Sequence, residues 1–178
     1  MENNLIQINK QKAEIIISLA NQFGIDILIE TGTYKGDMIS SCLNNFKNIY
    51  SIELDEKLAL AAQERFKDNA HVKIIHGDSA NILQFVISPI QEPVIFWLDA
   101  HYSGGETTRG EQDTSIIQEL GQIFMSGRKD DVILIDDLHM FKTPNYPHLV
   151  NLFNGINTFL PRYIVSINYN MIMAYPGE

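Results

Sequence analysis

Cysteine is nearly absent from this chain: Cys42 stands alone. A lone thiol excludes an internal disulfide. Its spacing with Ile39, Leu43 and Phe46 places it on the apolar side of a helix, as a buried thiol rather than a nucleophile. Basic residues are also few. Thirteen Lys and Arg against 22 Asp and Glu give a formal net charge of −9, and no basic cluster stands out. Nucleic-acid binding by bulk phosphate neutralisation is therefore excluded. No apolar run reaches the ~18 residues that a membrane span needs, and Met1-Glu2-Asn3-Asn4 is not the basic start of a signal peptide. These absences predict a cytoplasmic protein with no membrane partner. Linkers, repeats and low-complexity segments are missing too, so a single domain is expected over 1–178, with an N-terminal helix in 1–24 and a sheet with its helices in 25–178.

What the chain does have is alternation. Apolar runs at 25–30, 48–53, 72–76, 94–98 and 132–135 read as strands, the last two continuous enough to be buried on both faces. Between them lie helical patterns: 5–23; Ile39, Cys42, Leu43 and Phe46; a helix capped by Asp55; a short one after Gly77-Asp78-Ser79; and one capped by Asp113 or Thr114 with Ile116, Leu120 and Ile123 inward. Leu149 to Phe159 is expected to be helical. Tyr163–Ile167 and Met171–Tyr175, joined by an Asn-bearing turn, read as an antiparallel hairpin. The fold class that follows is α/β: a Rossmann-like, doubly wound, mostly parallel seven-stranded sheet closed by that hairpin.

The strand ends carry the chemistry. Glu30-Thr31-Gly32-Thr33-Tyr34-Lys35-Gly36 leaves the first strand through two glycines, and Glu53 ends the second strand 21 positions after Gly32. A βαβ unit that holds a nucleoside is built this way, with a tight turn and then an acid for the ribose hydroxyls. A dinucleotide site needs a second glycine where the backbone meets the pyrophosphate; here Tyr34 occupies that place. A nucleoside cofactor without pyrophosphate, such as S-adenosylmethionine, fits better. Glu30 and the backbone of Gly32, Thr33, Tyr34 and Gly36 would line its methionine end, Glu53 its ribose, and Asp78 with Ser79 its adenine. Asp78 is equally suited to capping a helix. Asp99 ends the fourth strand and Asp136-Asp137 the fifth. Three acids on one edge would repel one another unless a proton or a cation intervened.

With these segments in view, the chain resembles the class I S-adenosylmethionine-dependent methyltransferases. Leu98-Asp99-Ala100-His101-Tyr102 and Ile135-Asp136-Asp137-Leu138-His139 are most similar to the metal-dependent, macrocin O-methyltransferase-like branch, which acts on sugar hydroxyls. The resemblance runs from about residue 24 to the hairpin. It implies Asp99, Asp136 and Asp137 as ligands of Mg2+, with Asp99 also facing the cofactor. The acceptor would be a small molecule or sugar, its hydroxyl deprotonated by the metal or by a histidine. His101 is the favoured base and His139 the second choice. Catechol-type relatives carry a lysine where this chain has Tyr102, which argues against their mechanism. Residues 102–112 would form a lid. So compact a chain would either lack acceptor-recognition or oligomerisation elements of this branch or borrow them from a second subunit, as in a homodimer. Two other classes use such a sheet: an NAD(P)- or nucleotide-dependent Rossmann enzyme, against which Tyr34 speaks, and a non-catalytic module retaining the fold, against which the intact row of acids speaks.

Overall fold

The computed structural model describes residues 2–99 and 114–177, with side chains from residue 9 onward. The elements run α1 (Glu2–Phe23), β1 (Ile27–Thr31), α2 (Asp37–Cys42), β2 (Asn48–Glu53), α3 (Glu56–Arg65), β3 (Val72–His76), α4 (Ser79–Ile87), β4 (Ile95–Leu98), α5 (Ile116–Met125), β5 (Val132–Ile135), a 3-10 turn (Leu138–Lys142), α6 (Leu149–Phe159), β6 (Tyr163–Asn168) and β7 (Met171–Pro176). They form one seven-stranded sheet of order β3-β2-β1-β4-β5-β7-β6. The first five strands are mutually parallel, and β7 is antiparallel to both β5 and β6. Tyr169 and Asn170 make the hairpin turn with φ of 44° and 63°, the left-handed pair that matches strand twist in a two-residue loop.

Side chains alternate across a strand, so each strand feeds two cores. Ile27, Ile29, Ile52, Phe96, Leu98, Ile133 and Ile135 pack under α4, α5 and α6. Leu28, Ile49, Ile95, Trp97, Val132 and Leu134 pack under α1 and α2, against Ile16, Leu19, Ile39 and Cys42. Every residue of β1, β4 and β5 is buried, as continuous apolar runs in parallel strands require.

Local chemistry accounts for the boundaries, including those that differ from expectation. Asp55 caps α3, accepting from the backbone of Lys57 and Leu58. The second helix stops at Cys42 rather than reaching Phe46, because Asn44 and Asn45 favour turns over helix; Phe46 is still buried in the same core. α5 takes Ser115 as its N-terminal flank, one residue later than Thr114, while the Thr114 hydroxyl accepts from Ile116 N. Asp113 lies outside the described residues. Among the described residues, no helix is long and apolar enough to cross a membrane.

Candidate active site

The strand order reverses direction between β1 and β4, and at such a point the strand ends splay into a crevice. Asp99 stands there, its backbone N–H donating to Thr31 O at 3.1 Å. Asp136 follows on the neighbouring strand, its N–H donating to Leu98 O at 3.0 Å. Glu30 pairs in register with Ser51 and Trp97. Sequence parity then sets the face. Glu30, Ser51, Glu53, Asp99 and Asp136 all fall on the side of Leu28, Trp97 and Leu134, the face covered by α1 and α2. Asp78 joins the same rim from the end of β3. Glu30, Glu53, Asp78, Asp99 and Asp136 thus lie along one edge of the sheet.

The glycine loop is held from below and from the side. Gly32 and Gly36 adopt φ of 84° and 78°, and Tyr34 a φ of 47°. At Gly36 a Cβ would also meet Phe66 at 2.6 Å, so both backbone and space demand glycine there. Glu53 anchors the loop: Tyr34 N donates to Oε2 at 2.7 Å and Asp55 N to Oε1 at 2.9 Å. A carboxylate has roughly four acceptor positions, so Glu53 can still receive a ribose diol. Arg65 secures the far end, donating to Asp37 at 2.9 Å, to Ser40 at 2.7 Å and to Lys35 O. Beneath the loop runs a chain of donors. Ser51 Oγ donates to Glu30, and Thr33 Oγ1 lies 2.5 Å from Ser51 Oγ; with the serine proton committed to Glu30, Thr33 is the donor. Thr33 thus orders the loop from inside. Glu30 is 1% exposed. Burial pushes its carboxyl up to about 8, helped by the charges of Asp99 and Glu53 and opposed by Ser51. An acid whose charged form is disfavoured by burial fits a cationic ligand group.

Asp78 and Ser79, expected to face an adenine, have partners within the protein. Asp78 caps α4, accepting from Ala80 N at 3.0 Å and from Asn81 Nδ2 at 2.9 Å. Ser79 is buried and donates to Glu119 Oε1 at 2.5 Å, and Ser115 donates to the same oxygen at 2.7 Å. Ser79 is thus turned inward, toward an acid that the sequence reading missed. Glu119 is 1% exposed, and burial pushes it up to about 7 despite the hydroxyls around it. It stands in the apolar row Ile116, Leu120 and Ile123, and an acid in such a row was the available signal. Glu119, Asp99, Asp136, Asp137 and Tyr146 line a small cavity of about 10 Å3 at the ends of β4 and β5. A larger concavity on the opposite edge holds Arg128, but that guanidinium is engaged with Asp131 and with the carbonyls of Ile90 and Glu92.

As a metal site the set Asp99, Asp136 and Asp137 does not fit this geometry. Lys12 Nζ, from α1, donates to both Asp136 oxygens at 2.5 and 2.6 Å. Asp137 N donates to Asp136 Oδ1 at 2.7 Å. A hard divalent ion requires those same oxygens. Asp137 itself adopts a left-handed φ of 54° and turns toward the hairpin, where Asn170 Nδ2 donates to it at 3.3 Å. Among the described residues, no group of three His, Cys, Asp or Glu is placed to hold a metal.

Of the two candidate bases, His101 lies outside the described residues. His139 is exposed and tied to the hairpin. Its backbone N donates to Asn170 Oδ1 at 3.0 Å, which fixes the amide orientation, and Asn170 Nδ2 then sits 2.9 Å from His139 Nδ1. Since an amide nitrogen only donates, Nδ1 accepts, and the neutral ring carries its proton on Nε2. In that tautomer the outward nitrogen is the donor. Nitrogen-15 NMR of the imidazole should find the Nε2–H tautomer dominant, with Asn170→Ala raising the Nδ1–H share and costing about 1 kcal/mol of stability. An unchanged tautomer ratio would show that Asn170 does not control the ring.

Solved structures share this architecture. The tomaymycin-synthesis O-methyltransferase TomG of Streptomyces achromogenes, in complex with S-adenosylmethionine, superposes with a TM-score of 0.66 at 15% identity, over 94% of this chain and 80% of TomG. A Bacillus cereus O-methyltransferase bound to S-adenosylhomocysteine gives 0.63 at 18% identity, over 93% and 80%. An S-adenosylhomocysteine-bound Podospora anserina methyltransferase gives 0.62 at 17%, over 94% and 78%. The fold is that of the class I methyltransferases. No family model matches the chain. A stretch of 70 residues is 39% identical to an Escherichia coli rRNA adenine N-6-methyltransferase, spanning 39% of this chain and only 27% of that protein. In open α/β sheets the crevice at such a switch point is where ligands bind, and the acids above are gathered on that edge.

Proposed function

We propose that the chain is an S-adenosylmethionine-dependent methyltransferase that methylates a hydroxyl oxygen of a small molecule or sugar. The observation that carries this reading is the row Glu30, Glu53, Asp99 and Asp136 on one face of one rim, beside a glycine loop too bulky at Tyr34 for a pyrophosphate. When bound, the cofactor supplies an electrophilic methyl group on a sulfonium. Glu30 neutralises the ammonium of its methionine end, Glu53 accepts from the ribose diol, and the backbone of Gly32 to Gly36 follows its contour. Asp99, at the switch point, would position the acceptor hydroxyl, and His101 would take its proton as the oxygen–carbon bond forms and the methyl–sulfur bond breaks, with the thioether as leaving group. The protein's contribution is orientation and charge placement. A net charge of −9 and an acidic rim repel a polyphosphate, so a neutral hydroxyl acceptor fits better than RNA.

Glu30 provides the test. Its carboxyl sits at about 8, so it is largely protonated at neutral pH. A cation placed beside it favours the ionised form and lowers that value, so binding releases a proton. Calorimetric titration with S-adenosylhomocysteine near pH 7 should report release approaching ~1 proton, seen as different apparent enthalpies in phosphate and Tris. The release should vanish in Glu30→Gln and fade above about pH 9. No binding at all, or buffer-independent heats in the wild type, would sink the assignment.

A further inference from the structure

Helix α1 has no part in the mechanism above, yet it delivers the most buried lysine contact in the protein. Ala13, Ile16, Leu19 and Ala20 set its inner face against the sheet. Lys12 shares that face and is 5% exposed. A lysine is almost never buried to this degree unless paired. Its ammonium passes 5.8 Å from the Trp97 ring centroid and ends between the two oxygens of Asp136, as given above. Asp136 is in turn close enough to Asp99 for the two charges to interact, and Asp99 acts on Glu30 in the same way. The Lys12 ammonium thus faces a chain of three acids at the ligand edge, and it comes from a residue 124 positions away from Asp136 in sequence.

Three carboxylates on one rim need a cation or protons to coexist. A divalent ion is one solution, but it would need the Asp136 oxygens that Lys12 already holds. Two cations competing for one carboxylate repel strongly in so dry a setting. We propose that Lys12 is the resident cation of the catalytic rim, standing where a divalent ion would sit, so that methyl transfer needs no added metal and α1 belongs to the active site. Lys12 is a positioning residue: it holds Asp136 and offsets the negative charge around Asp99, which orients the acceptor. This rests on the methyltransferase reading for its chemistry, though not for its geometry.

The experiment uses the full chain and Mn2+ as the probe, read by electron paramagnetic resonance, where bound ion loses its free signal. The wild type should leave Mn2+ free at micromolar protein. Lys12→Ala, which opens the Asp136 carboxylate, should bind it at least about tenfold more tightly, and Mg2+ should raise the melting temperature of that variant alone. Lys12→Arg should behave as the wild type. S-adenosylhomocysteine affinity of the wild type should be the same with and without EDTA. Should Lys12→Ala fail to fold, the wild-type and Asp136→Asn arms decide: tight Mn2+ binding by the wild type, lost in Asp136→Asn, would overturn the proposal. Absence of S-adenosylhomocysteine binding, with the Mn2+ results as expected, would count against the methyltransferase reading and support the built-in cation.

Discussion

Lys12→Met should lower the free energy of unfolding by about 3–5 kcal/mol, the range seen when one partner of a buried ion pair is removed. Asp136 stays behind, buried, with its ammonium gone and Asp99 still close. Methionine fills much of the lysine stem's volume along Trp97, so little of the loss is cavity. The second substitution isolates the charge. Asp136→Asn on the Lys12→Met background removes the stranded carboxylate yet keeps an oxygen for the Asp137 N–H, so most of the stability should return. Urea unfolding of the four proteins closes the cycle, and a coupling below about 0.5 kcal/mol would mean that the pair is screened. The pH dependence has a definite sign. Burial, and then the charge of Asp99, push the Asp136 carboxyl up against the opposing pull of Lys12. With Lys12 gone it rises further. A folded-state value above the unfolded one means that stability is held at low pH and lost as pH climbs through the folded value. The penalty of Lys12→Met should therefore be small near about pH 5 and largest near about pH 9.

That lysine also marks the boundary of what the sequence reveals. Strand ends were legible because parallel strands are continuous apolar runs and an acid ends each one. Glu53, Asp99 and Asp136 stand where those runs stop, and α6 and the hairpin follow their patterns closely. Pairings between distant segments are not written in any local pattern. Lys12 lies four residues after Ile8 and four before Ile16, inside the apolar row of α1, but nothing nearby says that its partner is Asp136. Glu119 has the same character: an acid in an apolar helix face whose partners, Ser79 and Ser115, come from two elements. Where one residue type serves two purposes, sequence is ambiguous. Asp78 can cap or bind, and the hydrogen bonds to Ala80 and Asn81 identify the cap. The acids that the resemblance implied as metal ligands meet the same limit. Three acids at a rim state a need for positive charge, not its source, and a helix far upstream provides it.

Glu53→Ala should weaken S-adenosylhomocysteine binding by about 100-fold, or about 3 kcal/mol. Two losses add. The ribose diol forfeits two charge-assisted hydrogen bonds, each worth about 1.5–3 kcal/mol before water replaces them. The glycine loop forfeits its anchor as well, since Tyr34 N and Asp55 N both donate to this carboxylate. Arg65→Ala separates the two. It releases the same loop from the side of Asp37 and Ser40 without touching the ribose acid, so it should cost no more than about fivefold. Glu53→Gln is informative in a different way. One oxygen still accepts, but the amide nitrogen must face a backbone N–H, so the loop should loosen as well as the ligand contact. Calorimetry gives the affinities, and thermal shifts with NAD against S-adenosylhomocysteine test the cofactor class: NAD should leave the melting temperature unmoved. Affinity that survives Glu53→Ala intact would show that the nucleoside does not lie along β2, and the alignment of the acids would then need another explanation.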